Sequence, residues 1–296
     1  MRVTENMIFE TAIAQTERSR ESLAQAQSEV SSGIRVQHPG DDPAAAAMAV
    51  GHTVDKARFT AVGQDAQRAA DELSSASSAF SGISTIANRA LQLATQFGND
   101  TYSATDRSTA AIEVDGLNQQ VTSLLNTQYG GRYIFGGDKD NAAPFDASGN
   151  YVGGTGVRSV EIAPGLYQAS SIDANTIVKG GGNGVDLLKT LSDLSTALRN
   201  NDGNAIRASV DTINTAISQV AAGSTQIGMA QDAFQAAVNT AQTATSDETV
   251  KLGNLLDADI MTASTQLSSA QYALNATLTA AAKTMSLTLV GMLPTT

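Results

Sequence analysis

Apolar and small residues recur every three or four positions along most of this chain, and in several stretches the steps alternate strictly between four and three. The longest such run lies at the C-terminal end, from Leu252 to Leu293. There Leu256, Ile260, Ala263, Leu267, Ala270, Leu274, Leu278, Ala281, Met285, Leu289 and Met292 fall on one stripe, separated by Thr, Ser, Gln, Asn and Asp. The spacing predicts one helix of roughly forty residues, about 60 Å long. Alone in water such a helix leaves its stripe wet, so it needs a partner.

The first segment, Met1 to Ser32, is also helix-like, with Val3, Met7, Ala14, Leu23, Ala26 and Val30 on an interrupted apolar face. Two long, thinly apolar helices at opposite ends of a chain can close a bundle by pairing with each other, or pair with copies in neighbouring subunits. Periodicity alone leaves both readings open. The second predicts termini that are weakly ordered in the monomer.

Between the ends the pattern is helical again, then not, then helical. Gly33, Pro39, Gly40 and Pro43 enforce a turn, with Asp42 placed to cap the next helix and Pro43 at its first position. His38, Asp41 and Asp42 could hold a metal, but the spacing fits no known ligand motif, and a turn with a cap is the better reading. Ala69, Leu73, Ala76, Phe80, Ile83, Ala87, Ala90, Ala94 and Phe97 form a heptad seam ended by Gly98 and Asn99. Ser103 and Asp106 make a capping box for a helix to about Tyr129, with Val114, Leu117, Val121 and Leu124 on one face, so a helical hairpin is expected. Gly130 and Gly131 open a glycine- and tyrosine-rich stretch. Its candidate strands are Tyr133–Phe135, Ser159–Ile162 and Thr176–Val178. Asp138, Asp140 and Asn141 lack the glycine and the bidentate Glu of a calcium loop. The glycines from Gly180 to Gly184 lack the Lys-Ser/Thr of a phosphate loop and are read as a flexible return. Helices resume with Leu187, Leu191, Leu194 and Leu198. After Asn204, taken as a cap, a second seam runs through Ile206, Val210, Ile213, Ile217, Val220, Ser224, Ile227, Gln231, Phe234 and Val238, with a bend expected at Thr245–Glu248.

Composition removes most alternatives. Of 296 residues only 16% are charged and 4% aromatic, with no Cys, no Trp and two His. Disulfides and thiolate metal sites are excluded, and His-based catalysis has little material. A net charge of −11 repels phosphate, so nucleic acid is an unfavourable partner. No run reaches the roughly eighteen apolar residues of a membrane span, and the N-terminus lacks the apolar core of a cleavable signal. No catalytic motif is present, and neither a cofactor nor a metal is expected.

The fold class is therefore mainly α: a long antiparallel helical bundle or coiled coil of the N- and C-terminal segments, with a small inserted β-rich domain. The expected domains are 1–43 with 252–296 for assembly, 44–130 with 185–251 as a helical rod, and 131–184 as the β insertion. Their nesting brings the termini together at one end and sets the β module at the other. The expected assembly interface comprises Leu256, Ile260, Leu267, Leu274, Leu278, Met285, Leu289, Val3, Met7, Leu23 and Val30. Such a chain is a structural subunit of a polymer, or else a helical adhesin binding through its β insertion.

The segment S-S-G-I-R-V from Ser31, followed by a turn and D-D-P-A-A-A, resembles the N-terminal element of the bacterial flagellin superfamily. Met1-Arg2-Val3 with Met7, Pro43 after the Asp pair, G-R-Y-I-F-G-G from Gly131 and A-P-F-D from Ala143 are more similar to its hook–filament junction branch, the hook-associated protein 3 family, than to flagellin itself. That resemblance implies a ring between hook and filament on the extracellular flagellum and unfolded export through the type III apparatus without a cleaved signal. It implies hook-associated protein 1 and flagellin as neighbours, and a cytosolic chaperone on the C-terminal region before export. A minor flagellin is the nearest alternative. The ending M-L-P-T-T departs from the family, so contacts of the last residues do not carry over.

Overall fold

The computed structural model describes residues 5–181 and 184–291, with side chains described at 7 and at 9–181 and 184–283. In chain order it contains α1 (Glu5–Ser32), α2 (Pro43–Phe97), α3 (Ala104–Leu125), β1 (Gln128–Tyr129), β2 (Arg132–Tyr133), β3 (Ser159–Ala163), β4 (Leu166–Ala169), α4 (Ala174–Lys179), α5 (Leu187–Arg199), α6 (Gly203–Leu256) and α7 (Ile260–Gly291). The architecture is mainly α, with two small antiparallel sheets, β1–β2 and β3–β4. Gly130 and Gly131, with φ of 59° and 81°, form the two-residue turn that pairs Gln128 with Tyr133 and Tyr129 with Arg132.

The chain forms two compact units, Met1–Ala57 with Thr245–Thr296, and Arg58–Ala244. The larger unit holds the main core. Its seam on α2 is buried from Ala69 through Ala94, with Leu73, Phe80 and Ile83 wholly inaccessible. Small residues bring α2 and α6 close together. A Cβ on Gly63 would stand 3.2 Å from the Ala241 methyl, and one on Gly223 would press to 2.9 Å from the Phe80 ring. The pairing of 63 with 241 and of 80 with 223 makes the two helices antiparallel. α3 packs on α5 through Val114 and Val121 against Leu187, Leu191, Leu194 and Leu198, all buried. The Ser103–Asp106 capping box that starts α3 forms in both directions.

Arg107, at 4% exposure, holds the end of this unit together. Its guanidinium donates to the Phe97 and Asn99 carbonyls at 3.0 and 2.9 Å and to Asn201 Oδ1 at 2.6 Å. It thereby joins the α2–α3 loop to the α5–α6 loop. The β region is attached through Phe135, whose ring lies 5.6 Å from Phe80. Asn126 reinforces it by donating to the Phe145 carbonyl at 2.9 Å and accepting the Phe145 N–H at 3.0 Å.

Several sequence expectations change. Thr176–Val178 is helix, not strand: Asp173 caps it through the Thr176 N–H at 3.0 Å, and left-handed Gly180 closes it. These local hydrogen bonds override β-branched propensity. Of Tyr133–Phe135, only Tyr133 is in a strand, while Ile134 and Phe135 turn into the core. Asp202, not Asn204, caps α6, accepting the N–H groups of Asn204 and Ala205 at 3.0 Å each. α6 runs through Thr245–Glu248 without interruption. The break falls instead at Asp257–Asp259, so the predicted forty-residue helix is divided and Leu256 ends α6 rather than opening α7. Asp259 restarts the chain as α7, accepting the Met261 N–H at 3.1 Å and the Thr262 hydroxyl at 2.7 Å.

Truncating Phe80 removes the ring at the meeting point of α2, α6 and the β region. Phe80→Ala is expected to lower stability by about 3–5 kcal/mol in urea unfolding, whereas a loss below about 1 kcal/mol would contradict this packing.

Candidate assembly interface

The terminal helices differ in charge: the only charged residue on α7 is Lys283, whereas α1 carries Glu5, Glu10, Glu17, Arg18, Arg20, Glu21 and Glu29. Their Ser and Thr hydroxyls are satisfied locally. Thr16 donates to the Ala12 carbonyl at 2.8 Å, Thr265 to Met261 at 2.9 Å and Ser268 to Ser264 at 3.1 Å. These back-bonds let helices rich in hydroxyl residues persist and leave faces of methyls and satisfied hydroxyls.

α1 and α7 pack on each other within one chain. The covered positions are Ala12, Thr16, Ser19, Leu23, Ala26 and Val30 on α1, and Ala263, Leu267, Ala270, Leu274, Thr277 and Ala281 on α7. Both sets step four, three, four, three, as a two-helix seam requires. Thr277 donates its hydroxyl to buried Ser19 Oγ at 3.3 Å, a polar pair that sets the antiparallel register. At the foot of the pair the two helix breaks bind each other. Gly33, at φ 71°, ends α1, and its carbonyl accepts the Ala258 N–H at 2.8 Å, while the Leu256 carbonyl accepts the Arg35 N–H at 2.7 Å.

The predicted interface residues separate into groups. Leu23, Val30, Leu267 and Leu274 lie partly buried in the α1–α7 seam, and Leu256 is half-buried at the foot. Met7, Ile260 and Leu278 face outward at 54%, 52% and 42% exposure. Val3 lies outside the described residues, as do the side chains of Met285 and Leu289. The seam thus uses four of the expected residues, while three of those described face outward.

Further apolar side chains join the exposed set that the spacing did not single out: Phe9, Ile13, Val50, Val54, Met261 and Tyr272. Phe9 with Ile13 and Val50 with Val54 are i,i+4 pairs, a signal present in the sequence. Most exposed large apolar residues among those described belong to this smaller unit.

The turn before α2 is locally closed. Asp41 accepts the N–H groups of Gln37 and His38 at 3.0 and 2.8 Å, and Asp42 caps α2 through the Ala45 N–H at 3.0 Å. Those backbone bonds hold both carboxyls below the usual Asp range, that of Asp42 helped by Arg35. These oxygens serve the backbone rather than converging on an ion with His38. Likewise Asp138 accepts the Gly156 N–H at 3.1 Å, and Asp140 pairs with Arg158 at 3.3 Å, so they form no calcium loop.

A carboxyl whose folded-state pKa is depressed stabilises the fold above its unfolded pKa, about 3.9, and loses that contribution as pH falls through the lower folded value. Asp42→Asn keeps a capping oxygen that cannot titrate. Its melting temperature is expected to fall less than that of the parent between about pH 7 and about pH 3. Equal falls would show that the Asp42 charge does not stabilise the turn.

Comparison with known proteins places this geometry. Residues 3–140 match the bacterial flagellin N-terminal helical region. Flagellar hook-associated protein 3 of Salmonella typhimurium is 34% identical over 156 residues, 52% of this chain and 49% of that protein. The match therefore spans about half the length of that relative. Flagellin of Listeria monocytogenes is 26% identical over 229 residues, covering 77% of this chain and 76% of its own. Among solved structures, a flagellar hook-associated protein from Vibrio parahaemolyticus superposes with a TM-score of 0.67 at 21% identity, covering 73% of this chain and all of that one. FlgL of Bacillus cereus gives 0.59 at 23% identity, covering 70% of this chain and 99% of its own. The first part of the chain is thus similar to the bacterial flagellin N-terminal helical region, and its mainly helical fold is similar to that of flagellar hook-associated proteins.

Proposed function

We propose that this chain is a structural subunit of the bacterial flagellum, set at the hook–filament junction, where it joins hook-associated protein 1 to flagellin. The observation that carries this reading is the exposed apolar side chains of the terminal pair, Met7, Phe9 and Ile13 on α1 and Ile260, Met261 and Leu278 on α7, the last three on a helix whose only charged residue is Lys283. A solvated helix pair gains nothing from such exposure, whereas copies packed side by side bury it. In this reading the copies associate into a ring on the extracellular flagellum. The chain travels there by the flagellum's own export route without a cleaved signal, and a cytosolic chaperone covers its C-terminal region beforehand. The role is mechanical rather than enzymatic.

The seam also separates two kinds of residue within the expected interface. Leu267 and Leu274 lie in the intrachain stripe, so a charge there disturbs the monomer as well as the assembly. Ile260 and Leu278 are the cleaner probes.

A second reading, a minor flagellin, is favoured by the Listeria flagellin match, which extends over more of the chain than the hook-associated protein 3 match.

Gene deletion distinguishes the two. The junction role predicts bare hooks in electron micrographs and flagellin lost to the medium, whereas filaments of normal length would exclude it and leave the minor-flagellin reading. Complementing the deletion with Leu278→Asp is expected to give the same bare hooks although the purified variant keeps the parent's circular dichroism and melting temperature. Full motility with Leu278→Asp would show that this face is not an interface.

A further inference from the structure

On the smaller unit, α2 and α6 present a side-chain cluster that neither the α1–α7 seam nor the outward apolar face uses. His52 Nδ1 lies 2.6 Å from Glu248 Oε2. Glu248 is buried, His52 is half-buried, and Asp55 stands exposed one helical turn beyond His52 on the same face. One nitrogen of His52 and one oxygen from each of Asp55 and Glu248 lie within 4.8 Å of one another. Lys251 donates to the other oxygen, Glu248 Oε1, at 2.7 Å.

We propose that His52, Asp55 and Glu248 form a binding site for a borderline divalent transition ion, Zn²⁺ being the simplest probe, that clamps α2 to α6.

An imidazole with two carboxylates is a donor set for Zn²⁺ or Co²⁺ rather than for Mg²⁺ or Ca²⁺, which take oxygen alone. An ion held at about 2.1 Å by each ligand sets the donor atoms about 3–3.5 Å apart. The buried pair is already close, so closure falls to a rotamer change of exposed Asp55. The ion takes the place of the Nδ1–Oε2 contact, with the second ring nitrogen left to carry hydrogen. Local charge favours a cation in spite of Lys251. The Glu248 carboxylate, and more distantly Asp247 and Asp55, push the Lys251 ammonium up, which marks negative charge around the cluster. Lys251 then acts outside the ligand set, fixing the orientation of Glu248 from its far oxygen. A cross-helix metal adds stability only while both helices are folded and packed, so binding and melting temperature rise together.

The test uses the full chain, stripped with a chelator and then titrated with Zn²⁺ alone by calorimetry, with thermal melts in parallel. One ion per chain and a raised melting temperature are expected. Asp55→Asn removes an exposed ligand without touching the buried pair. It is expected to melt like the parent without metal and to weaken binding by about tenfold or more. His52→Gln is expected to abolish the shift, and His38→Gln to leave it intact. No binding at millimolar Zn²⁺, or binding unchanged in both Asp55→Asn and His52→Gln, would overturn the proposal. Because neither readout involves motility, failure here would leave the junction role standing.

Discussion

The constraint on which the structure depends is that two helices can cover only one face of each other. α1 and α7 each spend a narrow stripe on their mutual seam, with Ala26, Ala263 and Ala270 buried and the Ser19–Thr277 hydrogen bond between. Everything outside that stripe stays in water. There Phe9 and Ile13 are exposed on α1 among Glu and Arg, and Ile260, Met261 and Leu278 are exposed on α7 among Ser, Thr, Gln and Ala. The proposed assembly role gives that exposed apolar area a partner.

The larger unit solves a different problem. There α2 meets α6 through alanine and glycine, α3 meets α5 through Val and Leu, and Arg107 locks the loops at the end. That unit still exposes Ile112 and Met229, but most exposed large apolar residues among those described belong to the terminal unit.

Much of this was legible in the residues. Heptad spacing gave the buried faces of α2, α5 and α6 residue by residue, because 3.6-residue periodicity reports directly which side meets the core. Ser103 and Asp106 announced the start of α3, and Asp42 with Pro43 that of α2, because capping is a local interaction. The misses have the opposite character. The break at Asp257–Asp259 was hidden because the four-and-three step continues through it from Leu256 to Ile260, while its cause is a non-local pairing with Gly33 and Arg35. Thr176–Val178 looked like strand because β-branched propensity is weak against an Asp cap and a left-handed glycine. Spacing placed Leu23, Leu267 and Leu274 on one stripe, which the structure uses within the chain. It could not separate them from the exposed Met7, Ile260 and Leu278, because that division depends on where the partner helix lies.

The absence of cysteine from the sequence allows the central claim to be tested directly. In one protein Ser19→Cys and Thr277→Cys are combined across the inner seam, and in a second Leu278→Cys stands alone on the outer face. Oxidation of isolated flagella and of purified monomer is then read on denaturing gels. The account predicts that the inner pair closes within single chains in both samples, since the parent oxygens lie 3.3 Å apart. It predicts that Leu278→Cys links different chains in flagella and not in dilute monomer. Linking between chains through the inner pair, or none through Leu278→Cys in flagella, would contradict the division of inner seam from outer assembly face.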